Sequence, residues 1–187
     1  DFTAFFSGVG YRRDQWDLSS RLEFHLGDVS DKWNWLMGAN RQLSDGKILS
    51  ASVSVLNEEQ VGGATQNNAD LRLGLAWRPV ESSWLYLNRL DVNFVETRNG
   101  SFDLRSRKVV DNFHANYRPN EHSQLSLQLG LKYVLDSFDE QEYSGLTGLY
   151  GAEYRRDLGR RFDLGVRGAA LQSFEAGTMR YSAGVSV

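Results

Sequence analysis

Three histidines, His25, His114 and His122, are the side chains best suited to proton transfer in this sequence. His114 stands between Asn112 and Asn116 in a segment of alternating polarity. An enzyme that hydrolyses lipid esters would need such an imidazole beside a serine and an orienting amide or acid. No serine has a spacing that singles it out as the partner of His114, which also falls on the polar side of its segment. We therefore predict that the chain is not an enzyme; the alternative, a lipid-modifying enzyme, rests on His114.

No residues of this sequence have the spacing of a metal or cofactor site. Asp136, Asp139, Glu140 and Glu142 carry oxygen atoms of the kind that Ca²⁺ prefers, but we interpret them as a solvated acidic loop. The pair Gly62-Gly63 lacks the helix and the lysine that follow a phosphate-binding loop. The absence of Cys excludes disulfides and thiolate ligands. We predict no cofactor and no metal.

Charged residues of both signs recur at every second position of several segments, as in Asp70 and Arg72 or Arg89 and Asp91. A net charge of -3 and a pI of about 5.6 give no basic surface for nucleic acid. Because a selective pore would favour one sign, a balanced set predicts an ion-pair network along an inner wall, a weakly selective polar channel or, as a third alternative, a dedicated solute site. The predicted lumen charge network comprises Arg21, Glu23, Asp70, Arg72, Arg89, Asp91, Glu153, Arg155, Asp163, Arg167 and Arg180.

These charges lie in segments where polar and apolar residues alternate, which is the two-residue period of a β-strand. The clearest segment is Leu125 to Leu135, and about eleven such segments follow one another. No linker, helix-period segment or low-complexity tract separates them, so residues 1–187 are predicted to form a single all-β domain. Two residues interrupt the alternation. Asn88 lies on the apolar side, which suggests a bulge or a change of register, and Asp111 is out of phase for no reason that the sequence supplies.

Aromatic residues concentrate at the ends of these segments, whereas the middles carry Leu, Val and Ala. A soluble β-sandwich would place its large rings in the middle, while a membrane barrel places amphipathic rings at the lipid headgroups. The segments are also roughly 9–13 residues long, near the roughly 9–11 residues that a tilted strand needs to cross a bilayer and longer than the usual strands of soluble proteins. We predict membrane-interface positions for Tyr11, Trp16, Trp33, Trp77, Trp84, Tyr117, Tyr154 and Phe162, with Arg156, Arg160 and Arg161 anchoring a turn near the headgroups.

The connections alternate between two kinds. One kind is short and begins with arginine, as at Arg12-Arg13 and Arg155-Arg156. The other kind is predicted to be longer and acidic or rich in Gly and Asn: Asp28–Asp31, Asn57–Asn68, Glu96–Asp103, Asp136–Tyr143 and Gln172–Thr178. This alternation predicts an antiparallel up-and-down transmembrane β-barrel, in which consecutive strands cross the membrane in opposite directions. A soluble β-sandwich or a lipocalin-like barrel is the alternative.

The direction of the first strand bears on the size of the barrel. This strand runs from the long-loop side towards a short turn, so the chain begins on the long-loop side. A complete outer-membrane barrel has an even number of strands and both chain ends on the periplasmic side, where its short turns lie. We therefore expect a further strand before Asp1 and a full barrel of 12 or more strands, of which this chain is an incomplete fragment. The alternative is that neighbouring chains close the sheet.

Gly151 to Gly168 repeats the aromatic residue, the arginines and the short turn of Tyr11 to Leu18, and Met179 to Val187 follows as another alternating segment. Over its whole length the chain resembles bacterial outer-membrane β-barrels. The repeated segments resemble the C-terminal anchor or translocator barrel of long proteobacterial surface proteins. The resemblance implies the bacterial outer membrane as location, lipid bilayer and lipopolysaccharide as surroundings, and further modules of the same protein or neighbouring chains as partners. It implies a membrane anchor, translocator or passive pore for a larger surface protein, with a general small-solute porin as the alternative.

Overall fold

The computed structural model describes residues 1–100, 102–159 and 162–187, and every regular element in these ranges is a β-strand. The predicted all-β class and the number of about eleven strands are confirmed. No helix in the described ranges is long and apolar enough to cross a membrane. The strands are β1 (Phe2–Arg13), β2 (Trp16–Gly27), β3 (Ser30–Ser44), β4 (Lys47–Gln60), β5 (Thr65–Trp77), β6 (Trp84–Asn99), β7 (Phe102–Asn120), β8 (Ser123–Phe138), β9 (Gln141–Asp157), β10 (Asp163–Ser173) and β11 (Thr178–Ser186).

All eleven strands belong to one antiparallel sheet, and each strand pairs with the strands before and after it in sequence. The predicted up-and-down order is therefore confirmed. Of the described strands, β1 pairs only with β2 and β11 pairs only with β10. The sheet is open between β1 and β11, so its closure into a barrel stays a prediction.

The connections differ from those predicted, because the segments expected to form long loops are mostly strand. Of Asn57–Asn68 only residues 61–64 lie between strands, and of Asp136–Tyr143 only residues 139–140. The predicted contrast between short turns at one end and long loops at the other is therefore wrong for the described strands. Polar residues continue the ladder here, as Asn57 does opposite Asn67, because backbone pairing does not require apolar side chains.

Several turns are closed by residues in the left-handed backbone region. Asp14 has a φ of 49°, Gly46 of 70° and Asp139 of 50°. The connections 14–15, 45–46 and 139–140 each have two residues, the length at which a hairpin favours positive φ values. Short turns therefore occur at both ends of the sheet.

The bulge or change of register suggested at Asn88 is wrong. β6 pairs without a shift with β5 on one side and with β7 on the other, and Asn88 takes part in both ladders. Register shifts occur instead between Gln42 and Ser44 and between Tyr117 and Asn120, where each strand approaches its turn.

The sheet is a single layer without a hydrophobic core. Ala115, which is 4% exposed, is the one buried hydrophobic side chain of the described residues, and none of these residues has a large, fully buried side chain. The accessible surface is 13410 Å², whereas a compact globular protein of this mass would expose only about 9,000 Å². Both faces of the sheet are thus surface.

Candidate functional site

The two faces of the sheet differ in chemistry from β2 to β11, whereas on β1 Phe2 and Phe6 lie on the same side as the polar residues of β2. Residues opposite each other in neighbouring strands share a face, and one such row joins Val53, Leu71, Val92, Val109 and Tyr133 from β4 to β8. Neighbouring rows on this side are also mostly apolar, and we call it the apolar face. The intervening residues form the polar face.

The apolar face has a defined limit near the C-terminal end of β6. Along β6 it extends from Trp84 to Phe94, and the next residue on this face is Glu96. The Glu96 carboxylate accepts hydrogen bonds from Arg98 at 2.8 Å and from Arg105 at 2.9 Å. The hydrogen bond from Arg98 is the largest cause of a lowered pKa at Glu96, and the bond from Arg105 lowers this pKa further. An apolar band therefore gives way to paired charges within one step along the strand.

The register implies that the strands are tilted. Trp16 is the first residue of β2. When its partner in each successive strand is followed across the sheet, the row ends at Tyr150 on β9. β9 continues beyond Tyr150 to Asp157 before it reaches its own turn at the same end of the sheet. The turns are thus displaced by one residue per strand. With about 3.3 Å per residue and about 4.8 Å between strands, turns lying in one plane require a tilt of roughly 35°. At that tilt the apolar band of β6 is about 27 Å tall, close to the roughly 25 Å of membrane barrels.

Aromatic rings of β5, β6 and β7 line the apolar face at the end of the sheet where β5 stops and β6 begins. The ring centroids of Trp77 and Tyr86 are 5.4 Å apart, those of Trp84 and Tyr86 are 5.6 Å apart, and those of Trp84 and Tyr117 are 4.6 Å apart. The ammonium group of Lys47 lies 5.7 Å from the ring of Trp77. Such amphipathic rings with a cation beside them suit a boundary between an apolar phase and water.

Seven of the eight aromatic residues predicted at a membrane interface lie on the apolar face, at strand positions set by the ladders. The eighth, Phe162, precedes β10 and belongs to no strand. Arg156 is in β9, while Arg160 and Arg161 lie outside the described residues. Tyr86 is missing from the predicted set, although its position two residues after Trp84 places it on the same face. Whether any of these rings meets a membrane stays a prediction.

All eleven residues of the predicted charge network lie on the polar face of their strands. At its centre, Asp91 accepts hydrogen bonds from Arg72 at 2.7 Å and from Arg89 at 2.6 Å. Beside this triad, the side-chain amide of Asn93 donates to Asp70 at 2.7 Å. The middle of the polar face therefore holds a triad and a neighbouring pair joined internally by charge-assisted hydrogen bonds, and their place in a lumen stays a prediction.

The outer members of this network are paired less completely. Arg21 pairs with Glu23 on β2, and Arg155 donates to Asp163 at 2.9 Å between β9 and β10. No ion pair of Arg167 or Arg180 is found in the part of the chain that the structure describes. With six arginines against five carboxylates, the predicted network carries almost no net charge.

The fold brings no serine into hydrogen-bond contact with His114 among the described residues, although the alternative of a lipid-modifying enzyme depends on such a pair. His114 lies on the polar face opposite Leu87 and Gln128, and it lines a cavity of about 480 Å³ together with Ser50. The Ser50 hydroxyl donates to the carbonyl of Gly74 at 3.3 Å, and two strands, β5 and β6, separate β4 from β7. No serine hydrogen bond to His114 is found among the described residues.

The acidic segment predicted to be solvated helps to form a hairpin. Asp139 accepts a hydrogen bond from the backbone N–H of Asp103 at 3.0 Å, and Asp136 accepts one from the Ser106 hydroxyl at 2.6 Å. Within the described ranges, no three His, Asp or Glu side chains are close enough together to hold a metal ion.

The two residues that interrupt the predicted alternation are in contact on the apolar face. Asn88 lies opposite Phe113, and Asp111 lies opposite Leu90, so the two polar residues are diagonal neighbours. The Asn88 side-chain amide donates to the Asp111 carboxylate at 2.9 Å. The sequence places both on this face, but their contact depends on the register of β6 and β7.

No protein-family model matches this chain, and a search of curated proteins finds no match either. The function must therefore be argued from the two faces of the sheet.

Proposed function

We propose that this chain forms the wall of a transmembrane β-barrel in the bacterial outer membrane, where it serves as the anchor or translocator of a larger surface protein. The observation that carries the proposal is the exposed apolar face, which continues across the strands of a single-layer sheet. Its surroundings are then the acyl chains of the bilayer and, in the outer leaflet, lipopolysaccharide.

A continuous apolar face needs a partner, because contiguous apolar patches on soluble monomers rarely exceed a few hundred Å². Residues such as Leu129, Leu131 and Tyr133 on β8 are all exposed on this face. The sheet has no second layer that could cover them among the described residues. Lipid acyl chains would cover the whole face at once.

The dimensions of the apolar band support a bilayer as that partner. Its height of about 27 Å and the strand tilt of roughly 35° both fall near the values of outer-membrane barrels. The band is bounded by aromatic rings at the end where β6 begins and by the Glu96 cluster near the end where β6 stops.

The polar face supports an anchor or translocator more than a selective pore. Selective channels line their lumen with one sign of charge, whereas Asp91 is shared between Arg72 and Arg89 here. Paired charges rigidify a wall without setting a preference for anions or cations. A passive, weakly selective pore, including a general small-solute porin, is the alternative.

Refolding in the presence and absence of phospholipid vesicles tests the proposal. We expect the full chain to float with the vesicles in a density gradient and to show β-sheet circular dichroism there. Without lipid or detergent it should aggregate, because its apolar face is then exposed to water. A monodisperse β-sheet monomer in plain buffer would contradict the membrane proposal. Planar-bilayer recordings separate the alternatives, since a stable closed trace from inserted protein counts against a pore.

A further inference from the structure

A carboxyl group lies in the middle of the apolar face. Asp111 is the central residue of the 19-residue strand β7. Its partner Leu90 holds the fourth of the six positions that β6 contributes to the apolar band between Trp84 and Phe94. With about 3.3 Å per residue and a tilt of roughly 35°, Asp111 lies roughly 11 Å from one limit of the band and roughly 16 Å from the other.

The contacts of this carboxyl group leave acceptors without donors. The Asn88 side-chain nitrogen donates to Asp111 Oδ1 at 2.9 Å and to the carbonyl oxygen of Asn112 at 3.4 Å, so both of its hydrogens are used. No other hydrogen bond and no ion pair of Asp111 is found in the described part of the chain. A group that binds here must therefore supply donors to Asp111 Oδ2 and to Asn88 Oδ1.

Large apolar side chains surround the pair on both neighbouring strands. Four of them lie directly opposite its two residues: Leu75, Phe113, Leu90 and Leu131. In a bilayer this ring excludes water from the pair, and an ionisable residue at that depth is costly until it meets an opposite charge. The excess of acceptors and the negative charge both specify a cationic donor.

The depth of Asp111 restricts where such a cation can come from. The amine groups of lipids lie at the headgroups, at or beyond the limits of the apolar band, and so roughly 11 Å or more from Asp111. A second copy of the chain offers no cation at this height. On the described part of the apolar face, the basic residues all lie nearer to a strand end than Asp111 does: Arg13, Arg41, Lys47, Arg98, Arg105, Arg107 and Arg156.

We propose that the pair of Asn88 and Asp111 is a docking site within the bilayer for a membrane-spanning protein segment that carries one lysine or arginine near the bilayer centre. The inference rests on the proposed membrane function. The cationic group of that segment donates to the two free oxygen atoms. Apolar residues on either side of it pack on the exposed side chains of Leu129 and Leu131, which are both 48% exposed. The apolar face then serves for recognition as well as for anchoring.

Synthetic transmembrane helices can test this site in the intact chain. Three leucine-rich peptides of about 20 residues are compared, each with a terminal dansyl group and no tryptophan. One peptide carries a central lysine, one carries a central leucine, and in the third the lysine is moved by about seven residues, roughly 10 Å, towards one end. Energy transfer from the tryptophans of the refolded chain to the dansyl group in phosphatidylcholine vesicles measures association.

We expect the central-lysine peptide to reach half-saturation at a mole fraction about tenfold or more below that of the other two peptides, because close charge pairs away from water couple strongly. Asp111→Asn should remove this preference. The matched control Asp70→Asn should retain it, because Asp70 lies on the polar face. In Asp111→Lys, a peptide with a central glutamate should in turn associate more tightly than the central-leucine peptide.

Three results would overturn the proposal: equal association of the central-lysine and central-leucine peptides, equal association of the displaced-lysine peptide, or an unchanged preference in Asp111→Asn. The peptide comparison on the unmodified chain decides the matter even where a variant does not refold. Self-association that Asp111→Asn abolishes, without any peptide preference, would overturn the proposal in favour of a second copy. A chain that floats with vesicles but shows no preference leaves the proposed membrane function intact, whereas a chain that does not float contradicts that function itself.

Discussion

The side-chain amide of Asn88 donates a hydrogen bond of 2.9 Å to the carboxylate of Asp111 within the apolar face of the sheet. The same amide lies 3.4 Å from the carbonyl oxygen of Asn112. Because Asp111 is opposite Leu90 and Asn88 is opposite Phe113, apolar side chains surround the pair. Ionisable residues in membrane segments are rare and carry a high cost unless they are paired. The two residues are therefore expected to act as a unit.

A double-mutant cycle at Asn88 and Asp111 tests this coupling. Asn88→Leu and Asp111→Leu should each lower the free energy of unfolding by roughly 1–3 kcal/mol, because each leaves one polar group without its partner. The double variant should recover most of this loss, which gives a coupling energy of about 0.5–3 kcal/mol. The measurement is urea unfolding of vesicle-refolded protein, followed by tryptophan fluorescence. Strictly additive losses would show that the hydrogen bond contributes nothing.

A pair of arginine substitutions on β4 tests which face meets lipid. Val53 lies on the apolar face and Ser54 on the polar face, opposite Asp70. Val53→Arg should cost about 2–4 kcal/mol of unfolding free energy in vesicles, the range for an arginine near the bilayer midplane. The matched control Ser54→Arg should cost less than about 1 kcal/mol, because a charge there is solvated or can pair with Asp70. Equal effects of the two substitutions would contradict a lipid-facing apolar face.

Removal of the carboxylate at the centre of the polar face should expose repulsion between two arginines. In Asp91→Asn, Arg72 and Arg89 lose their shared acceptor, and we expect a loss of roughly 1–3 kcal/mol in the free energy of unfolding. The loss should shrink at high salt, because salt screens the remaining like charges. Asp17→Asn is the control, since Asp17 is 43% exposed and pairs with Arg12 alone, whereas Asp91 is 22% exposed. A larger loss at Asp17 would contradict the central role of Asp91.

Two glycines with similar φ values separate the cost of a left-handed residue from the cost of a clash. Gly46 and Gly63 have φ values of 70° and 82°. A Cβ atom at Gly46 would lie 1.9 Å from the carbonyl oxygen of Arg78, whereas a Cβ atom at Gly63 would meet nothing within 4 Å. Gly63→Ala should therefore cost only the backbone term of roughly 1–2 kcal/mol, and Gly46→Ala should cost clearly more. Similar unfolding midpoints for both variants would show that the turn at Gly46 can relax.

The Glu96 cluster beyond the apolar band should make stability depend on pH. The folded-state pKa of Glu96 is lowered by Arg98 and Arg105, so its contribution is fully present above the unfolded value of about 4.3. It should be lost as the pH falls from there through the folded-state pKa. Glu96→Gln should flatten the decline in unfolding free energy between about pH 5 and pH 3. An unchanged slope in this variant would assign the acid sensitivity to other carboxyl groups.

The individual strands and their faces could be predicted because strand periodicity is local. Leu125 to Leu135 alternate on β8 as expected, and each member of the predicted charge set lies on the polar face. The loop predictions failed for a physical reason. Asn57 and Asn67 look like loop residues by composition, yet they hydrogen bond across the ladder at 2.7 Å. Polarity marks the end of the apolar band, whereas the strand continues until a turn reverses it.

The sequence by itself determined which side chains share a face, since successive residues of any strand point to opposite sides. Only the tertiary structure decided which residues meet across strands, such as Asn88 with Asp111 or Asp91 with Arg72 and Arg89. These contacts depend on register, which is set by the position of every turn, and a shift of one residue would change all partners along a ladder. The open edges at β1 and β11 are likewise a property of the whole sheet, because pairing depends on neighbours that no single strand encodes.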